Sequence, residues 1–203
     1  RYLQDARNRI RTLSNLNIIG ITGSFGKTTT KYVLTEILRR KFNALMTPGS
    51  YNTTMGVTKV IRSSLKPMHD VFVVEMSAKK PGDIKEICDL VKPQYGLITA
   101  IGEQHLETFK TIENIAKTKN ELIESLPADG VAFFNADDVS CQELAKSAQC
   151  RVVGYGIEAT DVKMDYYIKD LKVDEHGSSF TVERACDKSQ SVFHTKLLGK
   201  HNI

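Results

Sequence analysis

The chain has 203 residues, 41% hydrophobic and 26% charged, the composition of a globular protein with material for one well-cored domain, or a domain plus a small appendage. Its net charge of +4 suits an acidic ligand, but the lysines and arginines are spread along the chain and form no nucleic-acid-binding face. There is no apolar run of membrane-spanning length and no charged-then-apolar leader with a small-residue cleavage site, so the expectation is a cytoplasmic protein without a membrane segment.

Residues 1–16 read as a linker or helix, and the main domain is expected over 17–203. Asn17 to Thr22 is a short apolar run ending in a glycine-containing turn, and Lys27 to Arg40 carries Val33, Leu34, Ile37 and Leu38 at helical spacing, which predicts strand, loop, helix. Asp70 to Glu75, Gly96 to Ile101 and Val131 to Phe134 are further strand-length apolar runs, and helical patterns follow over Pro81 to Val91, Thr111 to Leu126 and Val139 to Ala148. Repeated strand–helix units with buried-type strands predict an α/β fold, a parallel sheet flanked by helices. After about Arg151 the pattern changes to alternation, as in Val162 to Tyr166 and Phe180 to Glu183, with turn signals at His176-Gly177 and Asp187-Lys188; this predicts a small antiparallel β subdomain at roughly 152–198.

Cys88, Cys141, Cys150 and Cys186 lack the close paired spacing of zinc or redox sites and read as reduced structural residues. The chain opens on Arg1 and stops directly after Gly199-Lys200-His201-Asn202-Ile203, so a piece of something longer is expected.

Chemistry concentrates at Thr22-Gly23-Ser24-Phe25-Gly26-Lys27-Thr28, between the first strand and its helix. Backbone amides and the positive helix end can hold phosphate oxygens there, Lys27 can neutralise the β- and γ-phosphates, and the Thr28 hydroxyl can bind Mg²⁺. ATP binding follows, with Gly23, Ser24, Phe25, Gly26, Lys27, Thr28 and Thr29 as the nucleotide-binding set. The strict phosphate-loop pattern is not met, because Ile21 stands where its first glycine belongs. Glu75 ends a strand at the carboxyl edge of the sheet, where a carboxylate is either a Mg²⁺ ligand or a solvated strand end. Asn135 and Asp137 either lie near the nucleotide or belong to a helix cap at Asp137 or Asp138. Lys119 falls on the apolar stripe Ile112, Ile115, Ala116, Leu122, Ile123, Leu126, where an ammonium must be paired, neutralised or modified unless it snorkels from the edge.

The departure from the strict loop resembles the Thr-Gly-x-x-Gly-Lys-Thr/Ser loop of the Mur ligases and their folylpolyglutamate synthetase relatives. Val73-Val74-Glu75-Met76, Ile98 to Glu107, Ile115-Ala116-Lys117-Thr118-Lys119, Asn135-Ala136-Asp137-Asp138 and Leu198 to Asn202 follow in that family's order, over about residues 18–202. The resemblance implies a central ATP-binding domain of a peptidoglycan-precursor ligase that joins a carboxylate to an amine through an acyl phosphate. It implies catalytic roles for Lys27, His105 and Lys119, with two Mg²⁺ ions held by Thr28, Glu75, His105 and a carbamylated Lys119. It also implies that His201 and Asn202 meet the adenine end of ATP.

Tyr51 to Val57, with Asn52 and Thr53 as substrate-binding candidates, and Glu75-Met76 followed by Pro81-Gly82-Asp83-Ile84 look like the branch that adds D-alanyl-D-alanine to the UDP-MurNAc-tripeptide. Thr53 and Ser77 stand where that branch usually has Asn and Gly. The substrates implied are a UDP-linked muramyl peptide and the D-Ala-D-Ala dipeptide. Alternatives are a folylpolyglutamate synthetase-like or lipid II-modifying ligase and a non-catalytic nucleotide-binding module. A GTPase-like switch would need a guanine-reading Asn-Lys-x-Asp, and Asn135-Ala136-Asp137-Asp138 lacks that lysine.

Overall fold

A computed structural model describes residues 1–103, 106–157 and 164–197. The chain opens with α1 (Tyr2–Arg11), then β1 (Asn17–Thr22), α2 (Lys27–Leu38), β2 (Ala44–Met46), α3 (Thr54–Ser63) and β3 (Val71–Glu75). It continues through α4 (Asp83–Val91), β4 (Tyr95–Ile98), the short α5 (Leu106–Phe109), α6 (Ile112–Glu124), β5 (Val131–Asn135), α7 (Val139–Ser147) and β6 (Arg151–Gly156). It ends in β7 (Tyr166–Asp174), β8 (Gly177–Arg184) and β9 (Gln190–Thr195). Among the described residues no helix is long and apolar enough to cross a membrane.

All nine strands form one sheet in the order β2-β3-β1-β4-β5-β6-β7-β8-β9. The first seven pair in parallel and the last two antiparallel. β1 lies between β3 and β4, so the direction of winding reverses there, and ligand crevices of open α/β sheets form at the carboxyl ends of strands at such a point. Every residue of β3 is buried, as a strand covered on both faces requires.

The region expected as a small antiparallel β subdomain at roughly 152–198 does hold the antiparallel strands, β7 to β9, and they continue the main sheet. β6 pairs in parallel with β5, and β7 pairs in parallel with β6 through Tyr155–Tyr166 and Gly156–Tyr167; antiparallel pairing begins only between β7 and β8. Alternating side chains report one wet face, a local property, and do not say which neighbour a strand joins. Val162 and Lys163, part of that alternation, lie outside the described residues.

The two faces are covered unequally. A large core under α1, α3, α4, α6 and α7 gathers Phe72, Val74, Ile84, Ile87, Ile115 and Leu122, while the opposite face meets α2 through Ile21, Val71 and Val73 with Leu34 and Leu38. The helical spacing of α2 placed Val33 and Ile37 on its apolar stripe, yet both are exposed, and the residues α2 buries are Lys27, Lys31 and Thr35. Those three recur every four residues, and the stripe is polar: Lys31 pairs with Glu75 at the end of β3, and the Thr35 hydroxyl donates back to Lys31 O at 2.7 Å.

α6 crosses close over β1 and β4. A Cβ on Gly20 would meet the Leu122 side chain at 2.6 Å, and one on Gly96 would meet Leu126, Ile123 and Leu122 at 3.1–3.3 Å. The Glu121 carboxylate accepts from the Gly82 and Lys85 amides at 2.6 and 2.9 Å, tying α6 to the start of α4. With Leu122 and Ile123 against the sheet, Lys119, one turn earlier, is turned inward and is 2% exposed.

Candidate nucleotide and metal site

The loop between β1 and α2 holds the geometry that an anion needs. Gly23 has φ +147° and a Cβ there would run into the Thr99 hydroxyl; Gly26, at φ +79°, is the N-cap of α2. Among the described residues no side chain caps the first amides of α2, and amides at a positive helix end suit an anionic ligand. The chain after β4 pins the loop from behind. Ser24 donates its amide to Ala100 O at 2.7 Å and its hydroxyl to Gly102 O at 2.9 Å, while the Thr99 hydroxyl donates to Phe25 O at 2.5 Å.

Lys27 is buried and donates to Gly23 O at 2.8 Å and Ser24 O at 3.1 Å. Burial lowers its pKa, with Glu75 acting in the opposite sense.

Glu75, at the end of β3 and 1% exposed, is the centre of a polar cluster. Its Oε2 accepts from the Thr28 hydroxyl at 3.0 Å and from Lys31 Nζ at 2.9 Å; its Oε1 accepts from Asn52 Nδ2 at 2.9 Å. Burial alone would raise this carboxyl, but the bonds from Asn52 and Lys31, the Lys31 charge and the Thr28 bond together bring it below the ordinary value. The Thr28 hydroxyl spends its single proton on Glu75, so both of its lone pairs remain for a hard cation. Hydroxyl and carboxylate oxygens beside a phosphate loop are the donor set Mg²⁺ takes, and these residues fit it. The solvated strand-end reading of Glu75 is excluded by its burial.

Lys119 is held low, to about 8, first by burial and second by the charge of Lys27. No hydrogen bond or ion pair reaches its ammonium among the described residues, and at 2% exposure it does not snorkel. Asn135, Phe25, Gly26 and Thr29 line a cleft of 710 Å³ with Thr99, Tyr155 and Ile157. In the Asn135–Asp138 segment the helix-cap reading holds at Asp138, which accepts from Cys141 N at 3.0 Å, and Asn135 lines the cleft.

Residues 21–203 match the Mur ligase middle domain. The chain belongs to the Mur ligase middle-domain family. It is 31% identical over its whole length to the UDP-N-acetylmuramoyl-tripeptide–D-alanyl-D-alanine ligase of Bacillus subtilis, and 37% identical over 93% of its length to the Mycobacterium tuberculosis (strain H37Rv) ligase of that name. It spans 40% and 36% of those two proteins. MurF from Acinetobacter baumannii superimposes with a TM-score of 0.88 at 27% identity, over 99% of this chain and 43% of that one. MurF from Thermotoga maritima in complex with ADP gives 0.82 at 29% identity, over 95% and 43%.

In this Mur ligase domain the site brings together Gly23 to Thr29, Asn52 and Glu75, with Lys119 within electrostatic reach of Lys27. His105, His201 and Asn202 lie outside the described residues. Of the two substrate candidates, Asn52 commits its amide to Glu75, while Thr53 caps α3 by accepting from Gly56 N at 3.3 Å and lines a separate surface cleft with Tyr51 and Arg62. Sequence reasoning missed Lys31, Thr47 and Thr99. Lys31 is fully buried on Glu75, and Thr47 accepts the Glu75 amide at 3.1 Å. The spacing of Lys31, one turn after Lys27 on a helix that begins at the loop, was the available signal.

Proposed function

We propose that this domain is the ATP-binding centre of a peptide-bond-forming ligase of peptidoglycan precursor synthesis, adding D-Ala-D-Ala to UDP-MurNAc-tripeptide. The observation that carries the reading is the phosphate loop in which a buried Lys27 and the Thr28–Glu75 pair meet at the N-terminus of α2. The relatives that bear the D-alanyl-D-alanine ligase name, and the ADP complex among the superimposing structures, support the substrate and the nucleotide. Because ATP is the phosphoryl donor, the reaction belongs in the cytoplasm.

Each side chain has a role in this reading. The α2 amides, with Gly23 to Thr29, hold the phosphates, and Lys27 leaves the loop carbonyls to compensate charge developing on the γ-phosphoryl group as it passes to the tripeptide carboxylate. The amine of the dipeptide then attacks the acyl carbon, forming the amide bond and releasing inorganic phosphate. Thr28 and Glu75 would hold one Mg²⁺, and His105 with carbamylated Lys119 a second; bound Mg²⁺ supplies charge compensation on the phosphates. Carbamylation needs the neutral amine, and burial with Lys27 nearby favours that form at Lys119. Asn135, His201 and Asn202 serve the base, and Asn52 and Thr53 orient the segment facing the muramyl peptide.

The test supplies UDP-MurNAc-tripeptide and D-Ala-D-Ala to the whole protein and measures ADP release. Release that needs both substrates and disappears in Lys27→Ala is expected. Absence of stimulation by that pair refutes the substrate assignment, and unchanged ATP affinity of Lys27→Ala in a calorimetric titration refutes the loop assignment.

A further inference from the structure

The site contains a buried cation that phosphate binding does not require. Lys31 has no exposed surface, and its ammonium donates to Glu75 Oε2 at 2.9 Å and Gly49 O at 2.7 Å while lying 5.0 Å from the centre of the Tyr32 ring. It is held from three sides, on α2, on β3 and on the segment that carries Asn52.

A carboxylate offers about four lone-pair directions. On Glu75, Thr28 and Lys31 occupy both on Oε2 and Asn52 occupies one on Oε1, so a single direction remains. Lys27 adds a second positive charge acting on the same carboxylate. Two positive charges around one negative charge repel a divalent cation, and desolvation strengthens that repulsion. Nor is there a replacement ligand set: among the described residues no group of three or more His, Cys, Asp or Glu side chains could hold a metal ion. A polyphosphate changes the balance, because it brings several negative charges to the α2 amides and Lys27.

We infer that Lys31 is the resident counter-ion of Glu75 and closes the site to a free divalent cation, so that the metal enters only with the phosphates of the nucleotide. Lys31 is then a positioning residue: it touches neither phosphate nor metal, and it acts by occupying Glu75. The inference rests on the nucleotide-site reading above. Its consequence is that the order of loading is written into the apoprotein, and that removing the Lys31 charge should create a metal site that works without nucleotide.

The probe is Mn²⁺, followed by loss of its free electron paramagnetic resonance signal on titration with the protein, with and without ADP. The wild type should capture Mn²⁺ only with ADP. Lys31→Gln, which keeps an amide donor, and Lys31→Met, which keeps the stem, should capture Mn²⁺ without nucleotide at least about tenfold more tightly than the wild type. Lys31→Arg should behave as the wild type, and adding Glu75→Gln to Lys31→Gln should abolish the gain. Circular dichroism confirms folding of each variant. A wild type that captures Mn²⁺ equally with and without ADP overturns the inference, whatever the variants do. So do folded charge-free variants that gain nothing while the wild type still captures Mn²⁺ with ADP. A wild type that captures no Mn²⁺ even with ADP overturns the nucleotide-site reading and this inference together.

Discussion

Replacing Lys119 by methionine removes a buried charge while keeping most of the stem's volume, and its effect on stability follows from the site. The side chain is 2% exposed, and burial with the Lys27 charge brings its pKa from 10.5 to about 8. That depression corresponds to roughly 3 kcal/mol by which the folded state disfavours the ammonium. Below about pH 8 both folded and unfolded chains carry the proton, and the penalty is present in full. Between about 8 and 10.5 the unfolded chain still binds the proton that the folded chain has released, so wild-type stability rises with pH. Above 10.5 the two states no longer differ at this group. In CO₂-free buffer, where the amine stays unmodified, Lys119→Met should therefore be more stable than wild type at pH 7 by up to roughly 3 kcal/mol, falling to about 1 kcal/mol at pH 10. Urea unfolding at the two pH values measures this directly. Added bicarbonate should stabilise the wild type and leave the variant unchanged. A variant less stable than wild type at pH 7, or an equal gain at both pH values, would refute the reasoning. In the whole protein, Lys119→Ala should lose ligase activity and recover part of it with acetate or formate, short carboxylates able to fill the vacated ligand position. Full activity without additive would end the carbamate proposal.

Glu75→Ala strands the Lys31 ammonium in the interior, so a loss of about 3–5 kcal/mol in urea unfolding is expected, with Mg²⁺–ATP affinity falling far more than that of metal-free ATP. Equal losses with and without Mg²⁺ in calorimetry would show a structural role only. Gly23→Ala combines an unfavourable φ with a Cβ driven onto the Thr99 hydroxyl; about 1–3 kcal/mol of stability should disappear in thermal unfolding, together with ADP binding. Asp138 caps α7 and also accepts the Ile101 amide at 2.8 Å, so Asp138→Ala should cost about 2–3 kcal/mol by urea unfolding, and a change within 0.5 kcal/mol would contradict both bonds.

Local pattern carried much of the architecture. The span Asn17–Thr22 is the same in sequence and structure, and α4, α6 and α7 fall within one or two residues of the windows their periodicity marks. Thr111 caps α6 where the helical pattern begins, accepting from Asn114 N at 3.2 Å. The phosphate loop was legible because its chemistry is contiguous: the glycines, the lysine and the hydroxyl must be neighbours for the backbone to curl around a phosphate. β2 escaped because Ala44–Met46 has only three residues, too few for any period to declare itself.

What the sequence by itself determined about this protein is therefore whatever depends on residues close together in the chain: the longer core strands, most of the helices, the loop and the place of Lys119 on an apolar stripe. Only the tertiary structure decided which carboxylate meets which cation. Lys31, Gly49, Asn52 and Glu75 come from a helix, a loop and a strand that are neighbours only because β3 inserts beside β1. The same holds for β7, which joins the parallel sheet through β6 although its alternation is that of a hairpin strand. In both cases the deciding interaction is a pairing between distant segments, and hydrophobic periodicity, which records only which side of an element faces water, contains no information about the partner.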